Sequence, residues 1–487
     1  MVQLDERLGA MAELVLEAVA GCESPCAADI GCDHGQLTAH LLERSGRLLM
    51  IASDVSAPSL DKARRLLADR GLAGRAQVVC ADGLAGIDRP VQAIVIAGMG
   101  AETILRILRE GREKTGGAAL ILQANVDLPL LRCGLAEMGF AVEREVFSHA
   151  AGRRYVTMLA QAGGARTLSE REALLGTAIG GMEDEEQRAY FAWQRSIRVR
   201  EMEQTAALCS DKARARRAVS SRELEWMAEA MNVNACTVKE LERIVGEIAP
   251  YELAEDWDNV GLLVGRADKT VTRVLTALDL TDDLIKEAKA LGAQAIVTHH
   301  PIMMDARRRM TDADREGRLL LALAENGIAH IAAHTNFDSA PGGVNDTLLA
   351  QMGAKNVRGE GCVRVGDVEA GTTFGALCAR AQRRLHAAVR AYGAADTPVV
   401  RLGCCSGAGG SLFPEAAALG ADCFITGEIK HHVALEAMDS GVCVIEAGHF
   451  ETENPACEVM ANALQNACDA LKYNVTVFCS KGNPFGR

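Results

Sequence analysis

Ala28-Asp29-Ile30-Gly31-Cys32-Asp33-His34-Gly35 follows an apolar run and opens a helical pattern, and its reading decides the fold of the first part of the chain. Glycine in such a turn lets backbone approach a ligand, and the helix N-terminus behind it offers free N–H groups. Outward from this turn, apolar runs recur at Ala27–Ile30, Leu48–Ala52, Gln77–Cys80, Ala93–Ile96 and Ala118–Leu122, with helical patterns between them. Strands alternating with helices build βαβ units and a parallel sheet, so the fold class expected is α/β. Ligands of such sheets sit beyond the carboxyl ends of the strands. Four of these ends carry Gly or Asp. After Gly31 come Asp54 on the second strand, Ala81-Asp82-Gly83 after the third and Ile96-Ala97-Gly98-Met99-Gly100 after the fourth. Asp54 suits two ribose hydroxyls, and Asp82 an adenine amino group. One Gly-rich turn alone reads as a tight strand–helix connection; four such ends together predict a nucleoside-type ligand.

The rest of the chain divides by pattern. Residues 166–230 hold no Pro and few β-branched residues, which predicts two long helices, about 168–205 and 210–230, packed as a hairpin. From Arg195 to Arg222 there are eight Lys or Arg against three Asp or Glu. A solvated helix face and an RNA-binding surface both fit that stretch. A second α/β pattern begins at Asn232, with a helix at Val238–Ile248 and an extended segment at Gly261–Val264. Strands are predicted near Val274–Leu278, Ala295–Thr298, Ile328–Ala332, Val399–Leu402, Cys423–Thr426, Val442–Ala447 and Val475–Phe478. The expected domains are thus 1–165, 166–230 and 232–487, and 487 residues are indeed too many for one ordinary core.

Composition narrows the function classes. A net charge of −13 argues against the whole chain wrapping nucleic acid. Sixteen scattered cysteines read as reduced, buried thiols. The start has no apolar signal-peptide core and no run of 18 uncharged apolar residues follows, so neither export nor a membrane span is expected; the location expected is cytoplasmic.

Histidines mark a second site. Seven of the 11 fall in three strand-end groups, 299/300, 330/334 and 431/432/449. Ile296-Val297-Thr298 ends in His299-His300-Pro301, and a bend enforced by Pro301 would aim two adjacent imidazoles at neighbouring ions. His334 and Asp338 end the next strand; His449 and Glu453 are four apart, one helical turn. Imidazole plus carboxylate suits Zn, Mn, Fe or Ni rather than a Ca cage. His431 and His432 either line this pocket or start a surface helix.

Two resemblances follow. Arg7-Leu8, Ala28 to Leu37, Ala81-Asp82-Gly83-Leu84, Val95 to Gly100 and Leu120 to Val126 resemble the bacterial tRNA adenine-N1 methyltransferase family over about residues 4–230. The resemblance implies a Rossmann-like domain with S-adenosylmethionine as cofactor and tRNA as partner. It implies cofactor contacts at Gly31, Asp54, Asp82 and Gly98, with Asp29 of the same motif. Asp33, where many members carry glycine, and His34 would sit near the methyl group, Asp33 as a candidate base. A helix N-cap is the plain alternative for Asp33, and a polar first-turn residue for His34.

Glu255 to Leu262, Thr298 to Pro301, His334 to Asp338, Ser406 to Gly410, Thr426-Gly427-Glu428 and Gly448 to Glu453 resemble the dinuclear metal-centre family of toroidal hexamers, known also as type 2 homologues of GTP cyclohydrolase I. That implies two divalent transition-metal ions held by His299, His300, Asp338, His449 and Glu453. His334 is left without a ligand role and is expected to hold Asp338. The resemblance also implies a homo-oligomer, a hexamer through this domain. The expectation is a bifunctional fusion: a tRNA methyltransferase, then a metal-dependent hydrolase-like domain for a nucleotide or other phosphate-containing small molecule. The rival expectation pairs a small-molecule methyltransferase with a metal-binding ring that turns nothing over.

Overall fold

A computed structural model describes residues 2–182, 184–231 and 234–486. The expected boundary at Asn232 lies outside the described residues. Two compact units form: residues 1–196 with 222–232, and residues 197–221 with 233–487.

The first unit is built on a seven-stranded sheet. Its strands are β1 (Cys26–Ile30), β2 (Leu49–Asp54), β3 (Ala76–Cys80), β4 (Ala93–Met99), β5 (Ala119–Ala124), β6 (Phe140–Ala150) and β7 (Arg153–Ala162), in the order β3-β2-β1-β4-β5-β7-β6. The five expected strands are parallel, and the order reverses between β1 and β4. Alternation along each strand feeds two cores: Ala28, Ile30 and Ile51 pack on one face, Ala27 and Met50 on the other. Both faces being covered is what allows an all-apolar strand such as β1. The antiparallel pair β6–β7 extends the edge beyond the expected strands.

The helical region departs from two unbroken helices. Glu170–Leu175 is a helix with a Ser169/Glu172 capping box, and then a 3-10 turn and the glycines Gly176, Gly180 and Gly181 interrupt the chain. Gly176 (φ 57°) lies against the buried Arg132–Glu145 pair, where a Cβ would collide with both side chains. Long helices then run over Glu185–Thr205 and Asp211–Ala230. Much of the basic stretch is engaged locally. Arg216 meets Glu201, Arg217 donates to the Thr205 carbonyl, Arg222 meets Glu170 and Arg195 is buried.

The second unit contains a ribbon of β8 (Cys236–Thr237) with β10 (Thr270–Val271), and two larger sheets. One sheet joins β9 (Gly261–Val264), β11 (Arg273–Ala277), β12 (Ala295–Thr298), β13 (Ala329–Ala332) and β20 (Thr476–Cys479), ordered β20-β11-β12-β13-β9. The other joins β14 (Lys355–Arg358), β15 (Arg364–Asp367), β16 (Arg390–Tyr392), β17 (Arg401–Cys404), β18 (Cys423–Thr426) and β19 (Cys443–Glu446), ordered β14-β15-β17-β18-β19-β16. The expected helix appears at Val238–Ile248: Thr237 caps it and Glu240 returns the bond, a pair worth about 1 kcal/mol. All 16 cysteines are free thiols; ten are buried, whereas Cys80 and Cys209 are exposed, contrary to the expectation of buried thiols throughout. Among the described residues no helix is long and apolar enough to cross a membrane.

Candidate functional site

In the first unit the expected residues do gather at the carboxyl ends of β1, β2 and β4. Gly31 takes φ 75°, and a Cβ there would stand 2.5 Å from the Met99 methyl, so the close turn requires glycine. The Asp54 carboxylate is already oriented, accepting from the N–H of Asp33 at 3.0 Å and of Ser56 at 2.8 Å. Each oxygen keeps a second lone pair for a ligand hydroxyl. Asp33 has φ 45°, accepts from Ser59 Oγ at 3.1 Å and is 67% exposed. It is not a helix cap: the helix Gln36–Arg44 starts behind Gly35, whose φ is 73°. His34 lies ahead of that helix too, its Nε2 3.0 Å from Lys62 Nζ. Asp82 is open, with Arg106 3.7 Å away.

Gly98 (φ 77°) is framed by side chains from elsewhere. Its N–H donates to Gln123 Oε1, which also accepts from Arg7, and Asn125 Nδ2 donates to the Gly98 carbonyl at 2.7 Å. Asp29 differs from the others. It is buried under the helix, accepts from Thr38 Oγ1 at 2.7 Å, and burial pushes its carboxyl up to about 6. Its position supports the turn from beneath. A separate cleft of about 140 Å³, lined by Leu49, Arg75 and Arg89 among others, lies at the amino ends of β1 to β3, away from these residues.

In the second unit the imidazoles converge. β12 ends at Thr298; the N–H groups of His299 and His300 still bond to Ala277 and Leu278, while Thr298 Oγ1 caps the His300 carbonyl at 2.6 Å. The resulting bend brings the two rings to one side, with centroids 5.0 Å apart. His334 precedes the short helix Thr335–Ser339, which carries Asp338. Gly448, at φ 88°, turns the chain into the helix His449–Glu453, placing those two side chains one turn apart as expected. Three overlapping groups of donor atoms lie within 4.8 Å: His299, His300, His334; His300, His449, Glu453; and His299, Asp338, Glu453.

Each imidazole is fixed through Nδ1. His299 donates to the Ala333 carbonyl at 2.9 Å, His300 to Asp279, His334 to Asp258 and His449 to Glu428, each at 2.8 Å. An oxygen partner can only accept, so Nδ1 carries the proton and Nε2 of the neutral ring is a lone pair facing inward. There His300 and His449 Nε2 stand 3.1 Å from Glu453 Oε2, and His299 Nε2 stands 3.7 Å from Asp338. Lone pairs turned on carboxylate oxygens need a proton or a cation between them. His299 takes no proton near neutrality, since burial lowers its pKa to about 3. Its Nε2 is buried without a hydrogen-bond partner among the described residues. Donor atoms about 2.1 Å from a four-coordinate zinc stand roughly 3.4 Å apart, so these spacings fit transition-metal ligation.

These groups also set one another's charge. Burial and Glu453 together raise Asp338 well above the carboxylate range. Burial would also raise Glu453, but His300 and His449 beside it outweigh that and hold it far below. Burial lowers His300, yet Asp279 and Glu453 overcome it and lift the imidazole to about 10. Glu453 lifts His449 to about 9, against burial. The glycines are part of the fit: a Cβ on Gly407 (φ 55°) would run into the Glu453 carboxylate.

Several expected residues fall elsewhere. His330 is buried in β13 against Thr298, where burial lowers it to about 4, and it belongs to no donor group. His431 and His432 are exposed at the start of a helix whose inner face, Val433, Ala434 and Ala437, is buried. His334 is held by Asp258 rather than holding Asp338, and its ring is 5.1 Å from that of His299. Sequence reasoning did not assign Asp279, Asp258 or Glu428 to the site.

Comparison with known proteins finds two matches along the chain. Residues 27–229 match the family model described as tRNA (adenine(22)-N(1))-methyltransferase, and 236–484 that of Duf34/NIF3 (NGG1p interacting factor 3). A Clostridium acetobutylicum protein named GTP cyclohydrolase 1 type 2 homolog is 35% identical over 257 residues, covering 50% of this chain and 96% of its own length. The crystal structure of a Staphylococcus aureus hypothetical protein is similar with 29% identity and a TM-score of 0.50, over 52% of this chain and 98% of that one. A B. subtilis tRNA methyltransferase structure matches 47% of this chain and 100% of its own, at 24% identity and a TM-score of 0.42. With the second match spanning residues 236–484 of 487, the chain belongs to the Duf34/NIF3 family, and the segment in front of it matches the tRNA (adenine(22)-N(1))-methyltransferase family model.

Proposed function

We propose that the chain is a bifunctional enzyme: the first unit methylates N1 of a tRNA adenine, and the second is a two-metal, hydrolase-like centre acting on a nucleotide or another phosphate-containing small molecule. The observation that carries the second half is the set of four Nδ1–H anchors, which leaves the Nε2 atoms of His299, His300 and His449 turned on Asp338 and Glu453. His299, His300, Asp338, His449 and Glu453 would hold the ions, with Glu453 between both and His334 close enough to join them. Bound there, two divalent ions supply Lewis-acid chemistry, acidifying water and clamping a phosphate oxygen. Asp279, Asp258 and Glu428 keep the imidazoles in the ligating tautomer.

In the first unit S-adenosylmethionine supplies the methyl group. Asp54 takes its ribose hydroxyls, Asp82 its adenine, and Gly31 and Gly98 let backbone come close. Asp29 holds the turn. Adenine N1 carries its own lone pair, so the transfer needs positioning more than deprotonation. Asp33, exposed beside the turn, favours the positive charge the ring gains and is the candidate base; His34 lies next to it. The family resemblance extends the proposal to a cytoplasmic homo-oligomer, a hexamer through the second unit.

The test has two arms. Metal-replete full-length protein should contain two ions per chain, close together by anomalous scattering; one ion, or ions distant from these residues, rejects the two-metal reading. The same protein should transfer labelled methyl from S-adenosylmethionine to tRNA transcripts and stop when the target adenine is replaced. Labelling of small metabolites but of no tRNA would favour the small-molecule reading.

A further inference from the structure

The turn that anchors the imidazole cluster leaves a tryptophan in the open. Asp258 accepts from His334 Nδ1 and from the Thr335 backbone N–H, and Glu255 N–H bonds Thr335 Oγ1. Asn259 donates from Nδ2 to the Met303 carbonyl at 2.7 Å, tying the turn to the loop that follows His299-His300-Pro301. The backbone around Trp257 is therefore held on both sides, yet Trp257 is 61% exposed. Its ring centroid lies 6.0 Å from that of His334, at 78°, and His334 is 5.1 Å from His299.

Single exposed apolar side chains are ordinary on protein surfaces. This one is distinguished by its address: a rigidly mounted indole one ring away from the candidate ligands. Met304 on the tied loop is 44% exposed, adding apolar surface. The same loop continues into Arg307-Arg308-Arg309. Arg307 is paired with Asp314 and Glu316, while Arg308 and Arg309 are exposed and form no ion pair among the described residues. Aromatic surface and basic charge beside a metal-type cluster suit a ligand with a flat ring at one end and phosphate at the other.

We infer that Trp257 is a specificity residue that stacks on the planar heteroaromatic ring of a phosphate-bearing ligand, of the nucleotide class, whose phosphate end reaches the imidazole–carboxylate cluster. The inference rests on the reading of that cluster as a metal centre. An indole face attracts a flat ring by offset stacking, with little regard to which base it is.

The experiment titrates metal-loaded, full-length protein with GMP, guanosine and ribose 5-phosphate, following tryptophan emission and calorimetry. Wild type should bind GMP roughly tenfold more tightly than ribose 5-phosphate, the increment typical of one stacked base, with quenched emission. Trp257→Leu should bring GMP down to the ribose 5-phosphate affinity and abolish the quench, Trp193 and Trp226 remaining as internal controls. Its metal content and ribose 5-phosphate affinity should not change, and Trp257→Phe should keep most of the preference. A wild type with no ring preference, or a Trp257→Leu protein that retains one, overturns the proposal. So does a variant that loses metal and both phosphate probes together, since Trp257 would then be structural. Phosphate binding indifferent to metal removal, or no binding of any probe, overturns the proposal as well, whereas the metal-centre reading beneath it falls only if the metal content does.

Discussion

The two candidate sites are assembled by opposite means. In the second unit four imidazoles and two carboxylates point at one another, and each imidazole is held from behind by an oxygen acceptor. In the first unit the site is mostly backbone: Gly31 and Gly98 at positive φ, and Asp54 steadied by two backbone N–H groups. Its acids Asp33 and Asp82 are open to solvent. One arrangement needs positive charge at its centre, a proton or a metal ion, between its imidazoles and carboxylates. The other is a shaped surface that is comfortable in water and selects a ligand by fit. The first kind should therefore fail abruptly when a ligand atom is removed, and the second gradually.

The sharpest break is expected at Glu453. Its two oxygens face different imidazoles, His300 and His449 on one and His299 on the other, so it would be shared by the two proposed ions. Glu453→Gln should disturb both ions, whereas His299→Ala should mainly empty one; metal analysis of the two variants separates these outcomes. Equal loss of one ion in both would remove Glu453 from the bridging position. A smaller effect, about 10- to 100-fold in metal affinity, is expected for Asp279→Asn or Glu428→Gln, which loosen an imidazole without removing a ligand. Unchanged affinity by competitive chelation would mean that these acids do not orient His300 and His449.

That second pair of acids also shows where sequence reasoning stops. The histidine clusters were legible because three strand ends in one domain carried them. Asp279 was not, being a lone acid between Leu278 and Leu280 with no local signal. Its role comes from register: β11 pairs in parallel with β12, Ala277 opposite Thr298, so two residues further on Asp279 stands beside His300. Glu428 meets His449 for the same reason, through β18 and β19. Lateral pairing of strands distant in sequence is what one sequence does not state. His330 shows the converse: its position in a cluster suggested the site, but alternation in β13 turns it into the sheet. In the fold, the parallel strands of the first unit were readable as apolar runs. β6 was not, because Glu143-Arg144-Glu145 interrupt the run and a register shift between Val142 and Arg144 breaks the alternation. The short, exposed β14 and β16 carry little periodic signal.

In the first unit, losing one carboxylate should weaken the site without abolishing it. Asp54→Ala should reduce S-adenosylmethionine binding by about 1–3 kcal/mol, the usual worth of a charge-assisted hydrogen bond. Calorimetry with unchanged affinity would take Asp54 out of the pocket. Complete loss of binding by a folded variant would show the first site to be as brittle as the second, and the contrast between them would fall.

The smallest effect concerns Asp29, which sits in the first unit but is buried like the residues of the second. Burial is the main cause that raises its carboxyl from the usual 3.8 to about 6, partly offset by the Thr38 hydroxyl. A folded-state pKa above the unfolded one means that the native state binds the proton more tightly. The contribution to stability is therefore fully present below about pH 4 and is lost as pH rises through 6. Two pKa units correspond to an upper limit of about 3 kcal/mol. Asp29→Asn keeps an oxygen for the Thr38 hydroxyl but cannot ionise, so it should remove this slope. At pH 8 the variant's Tm should exceed that of wild type by a few degrees, in the transition that S-adenosylmethionine raises for wild type, and the gain should vanish near pH 4. A variant destabilised equally at both pH values would mean that Asp29 is held ionised by a partner at the turn. It would then belong with the ligand-facing acids rather than with the buried support beneath them.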